Sequence, residues 1–200
     1  MPATKSEMTA PARTSVVILF AEKRGFIRMS EKLQPAVVLA QVGKFIALLQ
    51  VAVERRGGTV RNVLNNTLMA TFAGDHSAQL AVQAAQDIQR DFTAIEEASA
   101  RDYGIQTAIA IGLHSGTAVI GAAGDSLPGQ LLVVGDSVGI AGRLLRRARI
   151  GEFVLSKPVM DALTASGFAL DAEALPPLEV TRREPIPLYG VLRDTRLDFT

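Results

Sequence analysis

Residues Ala36 to Val53 (AVVLAQVGKFIALLQVAV) form the longest apolar stretch of the chain, and whatever fold is adopted must bury it. The stretch is long enough to reach across much of a bilayer, but Lys44 sits near its middle with Gln41 and Gln50 on either side. A mid-bilayer Lys costs on the order of 2.5–3.5 kcal/mol even on lenient insertion scales. Glu54, Arg55 and Arg56 close the segment. A helix packed by protein on more than one face is therefore expected, with no membrane span, and its Val37, Val38, Leu39, Val42, Phe45, Ile46, Leu48, Leu49, Val51 and Val53 point in nearly every direction around the axis. That is more apolar surface than one face needs, and it points to a protein partner on helix 36–53.

The rest of the chain is read around that helix. Ser15 to Phe20 (SVVILF) is a short, β-branched apolar run of the kind that forms a strand covered on both faces, with a loop expected at Glu22–Gly25. The helix is expected to start near Ser30 or Pro35 and to stop at Gly57-Gly58. Thr59 to Phe72 shows two apolar runs around Asn65-Asn66, a hairpin signal because Asn tolerates positive φ. Asp75 to Ala100 carries a helical apolar period. Ile105–Ile111 and Thr117–Ile120 read as strands around a His114-Ser-Gly116 turn, followed by a Gly-rich connection at 121–129 and a strand at Gln130–Val134. Asp136 then reads as the N-cap of a helix over Ser137–Arg149. Phe153–Leu155, a helix from Lys157, a Pro176-Pro177 loop and a strand at Ile186–Leu192 complete the pattern. The fold class is α+β, a mostly antiparallel sheet with helices packed on one face. One domain over 15–193 is expected, with a disordered leader at 1–14 and a tail at 194–200.

Composition removes whole classes of function. With 21 Lys+Arg against 20 Asp+Glu the formal charge is +1, so no field gathers nucleic acid or an anionic membrane. The chain has no Cys and only two His, which excludes disulfides, thiolate nucleophiles and multi-histidine metal cages. A cytoplasmic location fits this usage.

Four segments, taken in order, resemble the catalytic domain of class III nucleotidyl cyclases, the adenylate and guanylate cyclase family. They are Leu19-Phe-Ala-Glu-Lys-Arg-Gly-Phe26, Glu54-Arg-Arg-Gly-Gly-Thr-Val60 running into Leu68-Met-Ala-Thr-Phe72, Ile111-Gly-Leu-His-Ser-Gly116, and Val134-Gly-Asp-Ser-Val-Gly-Ile-Ala-Gly-Arg-Leu144. Pro185-Ile-Pro-Leu-Tyr189 resembles the family's last strand. The resemblance implies a ferredoxin-like domain working as a head-to-tail homodimer, with its site at the subunit interface. It also implies a reaction in which the ribose 3′-oxygen attacks the α-phosphorus under two divalent metals.

Carried over residue by residue, the family's two metal aspartates fall on Glu22 and Asn66. Its base-selecting pair falls on Asn62 and Leu132, and its two transition-state residues fall on Gly139, where Asn is expected, and Arg143. Arg143 is retained and Glu22 keeps a carboxylate. Asn66 is a poor ligand for a hard cation, and Leu132 can neither donate to nor accept from a purine edge. A homodimer draws both of its sites from this one set. The expectation is a catalytically inactive homology domain, acting by dimerisation or regulation or by weak nucleotide binding, with no cofactor. Two alternatives stay open: an active cyclase of altered preference using Mg or Mn, and a sensor that takes a small ligand in the dimer cleft.

Each position also has a structural reading. Glu22 can be a solvated carboxylate, Asn66 a turn residue, and Arg143 a cation favoured near a helix C-terminus. His114 reads as a buried, satisfied imidazole, and the Gly-rich 121–129 segment lacks the Gly-Lys-Ser/Thr ending of a phosphate loop.

Overall fold

The computed structural model describes residues 12–122 and 131–193. The elements in chain order are β1 (Ala12–Arg24), α1 (Phe26–Lys32), α2 (Pro35–Arg55), β2 (Thr59–Leu64), β3 (Thr67–Ala73), α3 (Ser77–Tyr103), β4 (Ala108–Ala122), β5 (Leu131–Val134), α4 (Asp136–Arg147), β6 (Glu152–Ser156), α5 (Lys157–Ala165), β7 (Glu173–Leu178) and β8 (Ile186–Leu192). One sheet runs β2-β3-β1-β4-β6-β8-β7, with β5 added to β4. All its described pairings are antiparallel except β4 with β6.

The SVVILF run is the centre of this sheet, and its alternation explains the layering. Val17, Leu19 and Ala21 face a core shared with Phe45 and Leu49 of α2, Ile88 and Phe92 of α3, and Val159 and Leu163 of α5. Phe45 and Phe92 meet edge to face, with ring centroids 5.6 Å apart. Val16 and Ile18 face the other way, onto Met69, Ala118 and Ala141 of α4. The long helices thus cover one face, and α4 alone covers part of the second. Between them they account for a strand with no exposed side along its apolar run.

Several local expectations are corrected. β1 continues to Arg24 instead of looping at Glu22, because Glu22, Lys23 and Arg24 still pair with Ala110, Ile109 and Ala108 of β4. The His114-Ser-Gly116 triplet is not a turn but the middle of one continuous β4, paired with Ile18, Val17 and Val16. Its glycine is needed for packing, since a Cβ on Gly116 would lie 2.3 Å from Ser137 Oγ. Pro176-Pro177 lies within β7, at the sheet edge and across a register break, where a strand tolerates missing N–H donors. Asp136 is the first residue of α4 and not its cap; Gly135 holds that position, and Asp136 pairs with Arg183 instead. The Asn65-Asn66 hairpin is present, with Asn65 at φ 53°. Of the leader expected at 1–14, Ala12, Arg13 and Thr14 instead open β1, paired with Ile120, Val119 and Ala118 of β4; residues up to 11, most of the 121–129 connection and the 194–200 tail lie outside the described residues.

The long apolar helix behaves differently from expectation. α2 buries Gln41, Phe45, Leu49, Ala52 and Val53 against the domain, which is one face only. By length and composition it could cross a membrane, yet that inner face is built into the domain core.

Candidate functional site

The two halves of the candidate site are held by the hairpin and by the strand–helix unit β5–α4. At the hairpin, Asn66 is locked to the end of β1: its carbonyl accepts from the Lys23 N–H at 3.0 Å, and its side-chain Nδ2 donates to the Lys23 carbonyl at 2.8 Å. The amide must present nitrogen here, because its oxygen would face another oxygen. Glu22 is partly buried and points to the α4 side of the sheet, two residues on from Phe20. Arg24 Nη1 donates to its carboxylate at 2.7 Å, while Arg24 Nη2 donates to the Leu145 carbonyl at 3.0 Å. Glu22 therefore already has a cation.

Asn62 is exposed at the point where the β2–β3 register shifts. It lines a cleft of about 570 Å³ together with Leu132, Met69, Val60 and Val63, so the structure brings the two base-position residues together. A smaller neighbouring cleft of about 240 Å³ joins Asn62 to Asn66 through Phe20 and Met69. The walls of the larger cleft are mixed, with Thr59, Arg61 and Asn62 beside the aliphatic residues; Leu132 is 47% exposed and its neighbours Leu131 and Val134 are comparably open. Arg61, which also lines the larger cleft, is turned onto Thr71 Oγ1 at 2.8 Å.

Gly139 and Arg143 lie one turn apart on α4 and line neither cleft. Gly139 is exposed, and a Cβ there would meet nothing within 4 Å, so its lack of a side chain is not forced by packing. Arg143 donates to the Glu179 carbonyl, just beyond β7, and Arg147 donates to the Pro176 carbonyl at 3.1 Å. The retained arginine is thus fastened to its own chain.

A metal pair does not fit these residues. Among the described residues no three Asp, Glu or His side chains converge. The hairpin position turns an N–H donor to the one carbonyl beside it, and the neighbouring carboxylate is ion-paired.

The motif reading missed Lys23. Its side chain is fully buried and its Nζ has no hydrogen-bond partner among the described residues; Ser99 Oγ and Thr107 Oγ1 also lack one there. Burial pushes its ammonium from the ordinary 10.5 down to about 8. Strict alternation along a strand extended to Arg24 would have exposed it, because Lys23 shares the face of Leu19 and Ala21. His114 is the buried imidazole anticipated: Nδ1 lies 2.8 Å from Ser156 Oγ, and burial lowers its pKa to about 4 against a smaller opposing effect from Asp136.

The comparison with known proteins now bears on this geometry. Residues 8–191 match the model of the adenylate and guanylate cyclase catalytic domain. The chain belongs to that family. An adenylate cyclase of Anabaena cylindrica is 27% identical over 142 residues, covering 69% of this chain and 28% of that protein. The chain spans about a quarter of the length of the curated relatives it matches. The adenylyl cyclase CyaB from P. aeruginosa superposes with a TM-score of 0.84 at 19% identity, over 96% of this chain and 100% of that one. A non-canonical dimeric guanylyl cyclase domain of a RhoGC fusion protein from the aquatic fungus Blastocladiella emersonii superposes at 0.78 and 19% identity, over 90% and 98%. These likenesses give the class III cyclase domain its α+β architecture here, as its motifs implied.

Proposed function

We propose that this class III cyclase domain is catalytically silent and works by association, in the cytoplasm, as a head-to-tail homodimer. The observation that carries the reading is Asn66, whose amide nitrogen is bonded to the Lys23 carbonyl where the family resemblance places a metal-binding aspartate. Removing one carboxylate of a two-metal site leaves the phosphates' charge and the attacking 3′-oxygen without their main stabiliser, which is worth several kcal/mol. Leu132 at the base position and Gly139 at a transition-state position weaken the same reaction independently. No cofactor is required.

The cleft in which Leu132, Val63 and Met69 stand beside Arg61 and Asn62 supports a second reading, a sensor for a small ligand. Calorimetric titration with ATP and GTP in the presence of Mn²⁺ separates the readings from an active cyclase using Mg or Mn. The silent domain binds neither nucleotide, or binds weakly through Arg143 without forming cyclic product. Tight nucleotide binding with turnover would establish the enzyme instead.

A further inference from the structure

Among the described residues, the buried side-chain atoms without a hydrogen-bond partner are Lys23 Nζ, Ser99 Oγ and Thr107 Oγ1. All three belong to one end of the sheet face that the long helices cover. Lys23 pairs with Ile109 of β4, and Thr107, two residues before Ile109, reaches the same face. Ser99 continues the buried stripe of Ile88 and Phe92 along α3. Its carbonyl accepts from the Ile105 N–H at 3.3 Å, which fastens the last turns of α3 beside the chain entering β4.

Buried polar atoms are satisfied in nearly all folded proteins, so three in one neighbourhood point to a shared partner. An ammonium has three N–H donors and no acceptor, and each hydroxyl can turn its hydrogen to the same point. The adjacent carboxylate, Glu22, lies on the opposite face and is taken by Arg24. We propose that Lys23, Ser99 and Thr107 together bind one small monovalent anion, of the size and charge of chloride. One negative charge cancels the single buried ammonium, whereas a phosphate dianion would leave a charge uncompensated away from water.

The sheet end also offers a mouth. Thr107 lines a cleft of about 370 Å³ with Arg24, Arg28 and Ile150, and no carboxylate is among its lining residues. Two guanidinium groups there favour the approach of an anion. Gly25 stands in the same wall at φ 87°, where a Cβ would lie 2.7 Å from the Gln106 carbonyl oxygen and 3.5 Å from Thr107 Cγ2. Thr107 thus turns its methyl group towards Gly25 and keeps its hydroxyl buried. The site lies across the sheet from the cleft of Asn62 and Leu132, and it stands whether or not that cleft is silent.

The test is urea unfolding of the full chain at pH 7 and constant ionic strength, with sodium gluconate exchanged stepwise for sodium chloride. An anion held only by the folded chain lowers the unfolding constant as its concentration rises, here by about tenfold or more at full exchange. Lys23→Met and Thr107→Val should each lose most of that dependence, while Lys44→Met, which removes an exposed lysine, should keep it. In gluconate alone the ammonium stays uncompensated, so Lys23→Met is the more stable chain there, and chloride narrows the difference. Chlorine-35 line broadening by the parent protein, relieved by excess bromide, reads the site directly even where a variant does not fold. Equal chloride dependence in the parent and Lys23→Met would overturn the proposal. Absence of bromide-sensitive broadening would overturn it as well, and would give the three atoms to bridging water.

Discussion

Lys23 holds an ammonium beneath the helices with no partner for its Nζ, an arrangement that costs stability at neutral pH. Because its folded pKa of about 8 lies below the unfolded 10.5, the unfolded chain holds more protons between those values. Stability should therefore rise by up to about 3 kcal/mol as pH increases from 8 to 10.5. Lys23→Met should be more stable than the parent at pH 7 and should lose that rise, as read by urea unfolding across pH. His114 has the same sign at the acid end. Its folded pKa of about 4 lies below the ordinary 6.5, so its contribution is complete above 6.5 and falls away by about 3 kcal/mol as pH drops to 4. His114→Gln should flatten that loss in thermal unfolding followed from pH 7 to pH 4. The six positions singled out from the motifs were legible as residue types. Their side-chain partners were not, because Arg24 on Glu22, the Lys23 carbonyl on Asn66 and the Glu179 carbonyl on Arg143 come from register and from segments as much as 43 residues away.

At the scale of elements, α4 lies against β4 with no room between them. A Cβ on Gly112 would stand 2.3 Å from Leu145 N and 2.7 Å from the Ala141 carbonyl. Gly112→Ala should thus destabilise by about 1–3 kcal/mol in denaturant unfolding, whereas Gly139→Asn on the open side of α4 should change stability by less than about 0.5 kcal/mol. The contrast separates a glycine required by packing from one that is free to vary. Periodicity correctly marked the long helices, the hairpin and the last strand. It split β4 at His114-Ser-Gly116, because glycine and a polar pair read locally as a turn while the pairing with β1 that keeps the segment extended is non-local. It likewise read Pro176-Pro177 as a loop, since tolerance of proline at a sheet edge depends on strand order, which pattern alone does not supply. For α2, apolar positions all around the axis suggested burial on several sides, but the described residues cover only the Phe45 and Leu49 side.

For the molecule as a whole, a near-zero net charge of +1 has a local counterpart: the cleft that brings Asn62 and Leu132 together has Arg61 as its one charged lining residue, and that guanidinium is turned onto Thr71. Fold and family were legible because four motifs recur in order along the chain; silence of the site is inferred from replacements whose environment the structure supplies. If those replacements are the cause, Asn66→Asp, Asn62→Lys, Leu132→Asp and Gly139→Asn combined should strengthen Mn²⁺–nucleotide binding at least tenfold by calorimetry. The most direct measurement is made on the unaltered protein, incubated at high concentration with ATP or GTP and Mn²⁺ and assayed for cyclic nucleotide by mass spectrometry. The account predicts no product above the protein-free control with either nucleotide. Cyclic AMP or cyclic GMP accumulating in proportion to protein, and lost on Arg143→Ala, would contradict it.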